Sequence, residues 1–227
     1  MLRLAERLRR DSAVIVTSTA KMAESEAEPE SVLLTKNYPS IFSPAFLSGV
    51  KNIIESRKTM FLFRDLEGDK YIGLLPEEIS SLRDMNPASW ILAEADGASR
   101  MPLKGYAEHE PPLPGSFDCQ VVVVWTDALA RPMNESTTAR FEILRRFLGA
   151  ERNAVLTPPL LLRLLTSPDM YLKNSPPVVK RVLCVNKTDL TTRDALLPWL
   201  DYLRTHLSRY HGIWVTGRGE EDFYELC

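Results

Sequence analysis

Val182-Leu183-Cys184-Val185-Asn186-Lys187-Thr188-Asp189 decides how this chain is read: an apolar run of strand type delivers Asn-Lys-x-Asp at its carboxyl end. The chemistry available to that tetrapeptide is specific. A carboxylate such as Asp189 can accept two parallel hydrogen bonds from the N1 and N2 protons of guanine, donors that adenine does not offer together. Asn186 would address the other edge of the base, and Lys187 would lay its aliphatic stem along the ring while keeping its charge in water. The competing reading is an exposed turn leading into an N-capped helix, since Thr and Asp are ordinary turn and cap residues.

A guanine site belonging to a nucleoside triphosphatase also needs a phosphate cradle, with glycines at fixed offsets, then Lys, then Ser or Thr. Two glycine pairs have the right separation, Gly68 with Gly73 and Gly212 with Gly217, but Leu74-Leu75 and Arg218-Gly219 come after them. Neither is a phosphate loop. The chain opens with a helical stretch, Met1 to Arg10, that runs directly into the β-type Ala13-Val14-Ile15-Val16-Thr17. In such folds a phosphate loop leads into a helix that feeds a second strand, so the expectation is a chain that begins one strand and one loop late.

Outward from the strand at 182–185, β-type runs alternate with helical ones. Thr59-Met60-Phe61-Leu62-Phe63 and Lys70-Tyr71-Ile72-Gly73-Leu74, separated by residues 65–69, read as a β-hairpin. Trp90-Ile91-Leu92-Ala93-Glu94-Ala95 and Cys119-Gln120-Val121-Val122-Val123-Val124-Trp125 read as further strands. The second is near-continuously apolar, the pattern of a parallel-sheet strand buried on both faces. Helices are expected from Pro76, at about 136–148, at about 158–166 with Thr157 as cap and Pro158 in first position, and at about 192–208. A last strand is expected at 212–216. Glu24 to Glu30 reads as an acidic solvated loop. The sum is a single α/β domain over residues 1–227, built on a doubly wound, mostly parallel sheet, with ligands expected at the carboxyl ends of its strands.

Composition fits one such domain and excludes several functions. The chain has 227 residues, 44% of them hydrophobic, and a formal net charge of −2 from 28 basic and 30 acidic side chains. That balance gives no electrostatic reason to expect nucleic acid or an anionic membrane as partner. No apolar run approaches the roughly 20 residues of a membrane span. The Arg-rich first helix carries Glu6 and Asp11 and joins a strand without a linker, unlike a targeting peptide. Cys119, Cys184 and Cys227 are too widely spaced for metal ligation and suit the reduced thiols of a cytoplasmic protein.

The strand-end rule selects further residues. Asp96 stands just past an apolar strand at a place where nucleotide hydrolases hold magnesium, with Glu94 two residues earlier on the same side. Thr17, Ser18 and Thr19 end another strand, and Thr17 is the candidate hydroxyl ligand of the metal. With Asn186, Lys187 and Asp189 these positions are expected to converge on one crevice. The proline-rich stretch 97–114 is too long for a plain turn and carries Arg100 and Lys104 as phosphate partners and Glu108-His109-Glu110 as metal or proton chemistry. Alternation in an extended loop would place Glu108 and Glu110 on one side with His109 on the other.

The combination of Ala93-Glu94-Ala95-Asp96-Gly97-Ala98, Pro102-Leu103-Lys104, Ala107-Glu108-His109-Glu110-Pro111, Asp127-Ala128-Leu129 and Asn186-Lys187-Thr188-Asp189 resembles the YqeC family, accessory proteins of selenium-dependent molybdenum hydroxylases. Thr17-Ser18-Thr19-Ala20-Lys21-Met22 looks like the family's Thr-rich strand end. The resemblance implies a phosphate-loop NTPase fold lacking its first strand and loop, GTP or another nucleotide with Mg2+ as cofactors, and a cytoplasmic role in maturing a molybdenum hydroxylase client. Two departures are visible. The family's Gly-Lys-Thr-Thr loop would precede Met1, and Asn134-Glu135-Ser136 stands where relatives tend to carry a His-Arg pair. Three functions are therefore compatible with the residues: a nucleotide-dependent maturation factor, a non-hydrolysing nucleotide-binding module, and a metal carrier using Glu108, His109 and Glu110.

Overall fold

Val14-Ile15-Val16 has no polar position, so a strand built from it must be covered on both faces. The computed structural model, which describes residues 1–98, 100–129, 131–217 and 224–226, meets that demand. The chain divides into two compact units, Met1–Gly97 with Pro112–Ser116, and Ala98–Pro111 with Phe117–Cys227. Each carries its own four-stranded sheet, so the parallel strands expected in one sheet form two. Among the described residues no helix is long and apolar enough to cross a membrane.

In the first unit the elements are α1 (Leu2–Leu8), β1 (Val14–Ser18), β2 (Lys21–Ala23), β3 (Val32–Leu34), α2 (Pro44–Arg57), β4 (Thr59–Phe63), β5 (Asp65–Glu67), β6 (Lys70–Ile72), α3 (Pro76–Met85) and β7 (Trp90–Glu94). The sheet runs β3-β4-β1-β7, entirely parallel. Its side chains sort by parity. Val14, Val16, Phe61 and Phe63 face Ala5 of α1 and Met22 and Tyr71 of the small antiparallel sheet β2-β6-β5, with Phe63 and Tyr71 stacked at 4.5 Å. Ile15, Met60 and Leu62 face Phe46 and Val50 of α2 and Ile79 and Leu82 of α3. Period-two alternation between two apolar layers makes β1 and β4 buried along their whole length.

Thr59–Phe63 is a central parallel strand; the hairpin is β5 with β6, closing through Gly68-Asp69 with Gly68 at φ +60. The five buried residues of β4 belong to a two-sided core, whereas the polar Asp65 to Asp69 stretch makes the turn and the strand leading into it. Helix α2 and the short strand β3 are elements that the patterning above does not mark. The start signals of α2 are nevertheless present: Ser43 accepts a hydrogen bond from the Phe46 amide (3.2 Å), and Pro44 stands in the first turn. Its apolar Phe46, Val50, Ile53 and Ile54 keep helical spacing.

The second unit contains β8 (Leu103–Lys104), β9 (Cys119–Trp125), β10 (Thr138–Ala139), α4 (Phe141–Leu148), α5 (Pro158–Thr166), β11 (Lys180–Asn186), α6 (Arg193–His206), β12 (Gly212–Val215) and β13 (Tyr224–Leu226). Its main sheet runs β13-β12-β11-β9, with β9, β11 and β12 parallel and β13 antiparallel. Val122, Val124, Leu183, Val185 and Ile213 meet Phe141, Leu144, Leu161, Leu164, Leu196, Leu200 and Leu203 from all three helices. Because those helices gather against one set of side chains, β9 alternates: Val122 and Val124 are buried, while Val121 and Val123 stay 38% and 48% exposed. The apolar run therefore does not mark a strand buried on both faces. Helix α4 starts later than expected because Thr138 and Ala139 pair with β8, and α5 begins at Pro158 without a side-chain bond from Thr157.

The end of β6 crosses the turn after β1 at very close range. The Leu74 amide donates to Ser18 O (2.8 Å), and a Cβ on Gly73 would lie 2.2 Å from Ser18 O and 2.6 Å from Ala20 O. Backbone cannot yield as a flexible side chain can. Gly73→Ala should lower unfolding free energy by about 2–4 kcal/mol through forced displacement of this crossing, read by urea denaturation of the two proteins side by side.

Candidate functional site

Strand β11 ends on Asn186, and the chain turns through Lys187 in the left-handed region (φ +62) into a single 3-10 turn at Thr188–Leu190. Helix α6 comes next, capped by Thr192, whose hydroxyl accepts from the Ala195 amide (3.3 Å). The turn and capped helix of the competing reading are thus present, with the cap on Thr192.

Two neighbouring strand ends clamp this turn. From the β12 side, the Thr216 hydroxyl donates to Asn186 Oδ1 (2.8 Å), while Thr216 O accepts from the Thr188 amide (3.1 Å) and hydroxyl (3.2 Å). Asn186 Oδ1 also accepts from the Lys187 amide (2.8 Å). Two donors on that oxygen fix the amide rotamer. From the β9 side, buried Thr126 donates its hydroxyl to Lys187 O (2.5 Å), and the Lys187 ammonium lies 3.1 Å from the centre of the Trp125 ring. Asp189 is exposed. Asn186, Lys187 and Asp189 are therefore together on one braced turn, with a donor, an apolar stem and an acceptor at a strand's carboxyl end.

Sequence reasoning misses Trp125, Thr126 and Thr216. Each lies at the end of a strand beside β11, and the strand-end rule applied to all three strands would find them. Asp127, next in line, has a buried Oδ1 with no hydrogen-bond partner, its Oδ2 lying 3.9 Å from Arg131.

The loop at 104–111 is organised by charge. Glu110 is buried and accepts a two-pronged contact from Arg140 (Nε to Oε2 2.6 Å, Nη2 to Oε1 2.8 Å), a third from the Lys104 ammonium (2.9 Å) and a fourth from the Ala107 amide (3.1 Å). Lys104 is itself buried, with Tyr106 5.6 Å away. Lys173 donates to Ala107 O (2.6 Å) and Asn174 to Pro111 O (3.0 Å), tying the loop to the segment after α5. Glu108 and His109 are exposed. Glu108 and Glu110 therefore do not share a side as alternation suggested, because a tight turn intervenes and Glu110 has been drawn inward by two cations. Among the described residues no three His, Cys, Asp or Glu are grouped to hold a metal ion.

In the first unit the strand ends are knitted to each other. Thr17 is fully buried and its hydroxyl donates to Leu62 O (2.7 Å), inside the sheet. In register Thr17 pairs with Ala93 and Ser18 with Glu94, so Thr17 faces the side opposite Glu94. The Ser18 hydroxyl donates to Glu94 O (2.9 Å) and accepts from the Ala20 amide (2.8 Å), and the Thr19 amide also donates to Glu94 O (2.8 Å). The hydroxyl of Thr19 is buried without a partner. Asp96 is half-buried just beyond β7. Burial, then Glu26, then Asp96 hold the Glu94 carboxyl above the usual carboxylate range.

The two carboxylates predict opposite pH behaviour. Arg140, opposed by burial but reinforced by Lys104 and the Ala107 amide, lowers the Glu110 pKa from 4.5 to about 2. A depressed value means stabilisation that is complete above pH 4.5 and lost as the pH falls toward 2. Glu110→Gln should cost about 2–3 kcal/mol at pH 7, the partial exposure of Arg140 keeping it below a fully buried pair, and the gap to wild type should close between about pH 5 and 2. For Glu94 the sign reverses: Glu94→Gln should raise the Tm at pH 7, with the difference vanishing below pH 4.5. Thermal unfolding of both variants from acid to about pH 8 checks these outcomes.

Comparison with known proteins identifies the lineage. The family described as "YqeC protein" matches residues 1–142, a span that ends before β11 and its turn. A relative named "Uncharacterized protein YqeC" from Escherichia coli (strain K12) is 29% identical over 178 residues, covering 77% of this chain, and the chain spans 65% of that relative's length. No solved structure matches the chain. A family match across more than half of its residues means that this chain belongs to the YqeC family.

Proposed function

We propose that the protein binds a guanine nucleotide through the turn after β11 and acts as an accessory protein in the maturation of a selenium-dependent molybdenum hydroxylase. The observation that carries the nucleotide reading is the braced Asn186-Lys187-Thr188-Asp189 turn: Asn186 has its carbonyl oxygen tied to Thr216 and Lys187, and Asp189 is exposed at the end of a parallel strand. That donor set fits a guanine base. Asp189 would accept from its N1 and N2 protons, and Asn186 would donate to its other edge.

The phosphate end is less well provided. Neither glycine pair of this sequence leads into Lys-Ser or Lys-Thr, and Lys104 is engaged by Glu110. Asp96 would be the magnesium ligand of the NTPase reading, while Thr17, with its hydroxyl inside the sheet, would have to break its bond to Leu62 to join it. The accessory role, a cytoplasmic location, a molybdenum hydroxylase client and a phosphate-loop NTPase ancestry are what the sequence resemblance described above implies, and the loop at 104–111 is the segment offered for client contact through its exposed Glu108 and His109.

Titration calorimetry of the chain with GTP, GDP and ATP, with and without Mg2+, tests the reading. GTP and GDP should bind in preference to ATP, and Asp189→Asn should weaken them by about 10- to 100-fold, the equivalent of about 1.5–3 kcal/mol for a charge-assisted pair. Equal affinity for GTP and ATP, or no binding by the folded chain, would overturn it.

A further inference from the structure

Lysine is a poor stacking surface when its stem is free, because ordering its four rotatable bonds carries an entropy cost. Lys187 is held at both ends. Its carbonyl accepts from Thr126, and its ammonium lies on the indole face of Trp125, 3.1 Å from the ring centre. Trp125 and Thr126 are consecutive residues where β9 gives out, and Trp125 is the register partner of Asn186, so one strand end fixes both attachment points. The backbone at Lys187 is fixed too, in the left-handed region.

We propose that Trp125 is a positioning residue for base recognition: by taking the Lys187 ammonium onto its indole face, it stretches the lysine stem into an ordered apolar wall on which a flat purine stacks. The inference rests on the guanine reading above and adds two claims to it. The charge of Lys187 is directed at an aromatic ring, so what the residue contributes to binding is stem surface. The gain from Trp125 is then the same for a nucleoside as for its diphosphate, because it acts on the base and not on the phosphates.

The test uses GDP and guanosine as probes and the full chain in four forms: wild type, Trp125→Leu, Lys187→Ala and the double variant, each checked for folding by thermal unfolding. Cation–π contacts of about 0.5–2 kcal/mol correspond to Trp125→Leu weakening GDP by about two- to thirtyfold. Guanosine should weaken by the same factor, and in the Lys187→Ala background Trp125→Leu should have no further effect. Lys187→Met approaches the contact from the other side without altering β9, and should weaken GDP similarly even if Trp125→Leu does not fold. Unchanged GDP affinity in Trp125→Leu or in Lys187→Met, or an equal loss in the Lys187→Ala background, overturns the role of Trp125. If GDP binding is sensitive to Asp189→Asn but indifferent to Trp125, only this inference falls. If wild type binds neither probe, the guanine reading fails and this inference with it.

Discussion

A parallel strand that ends leaves its last amides and carbonyls without a ladder partner, and the candidate sites at the ends of β11 and β1 are built on how those groups are satisfied. At the end of β11 the solution is reciprocal: Thr216 gives its hydroxyl to Asn186 and its carbonyl to Thr188, and Thr126 gives its hydroxyl to Lys187. At the end of β1 the Ser18 hydroxyl and Thr19 amide share Glu94 O, while Leu74 takes Ser18 O. Short hydroxyl residues at strand ends take up backbone groups where the chain turns, and the same contacts hold the candidate side chains of the turn after β11 in place.

The second organising element is the placement of charge inside the 104–111 loop. Two cations on one buried carboxylate carry a desolvation cost that the added Ala107 amide and the two-pronged geometry of Arg140 help to offset. The cluster anchors Glu110 inside the loop. Glu108 and His109 are thereby left at the surface, where chemistry with a partner is accessible to them. Glu94 is the counter-case, a carboxylate whose charge is opposed first by burial and then by the like charges of Glu26 and Asp96. Groups held against their preference in this way concentrate at functional sites.

Part of this is legible in residue order. The strands β1, β7, β9, β11 and β12 and the helices from Pro76, Pro158 and Arg193 come from apolar runs and start signals, and the Asn-Lys-x-Asp turn is visible before any coordinate is known. What misleads is apolar content taken as a measure of two-sided burial. Val121 to Val124 look as buried as Val14 to Val16, yet only the latter lie between two apolar layers. Likewise Thr17 is a strand-end hydroxyl in sequence, but its side chain is on the interior side and already bonded.

The sequence by itself determined the class of the protein, its parallel-strand architecture and the chemical identity of the residues on the turn after β11, because these depend on local periodicity and on which side chains occur together. Tertiary structure alone decided which of those side chains are available. Lys104 and Glu110 neutralise each other, Thr17 is consumed by Leu62, and Lys187 is drawn onto Trp125. These outcomes depend on residues 6, 45 and 62 positions apart meeting in space, and a hydrogen bond or a cation on a ring face forms according to distance and direction, neither of which is written in the order of the residues.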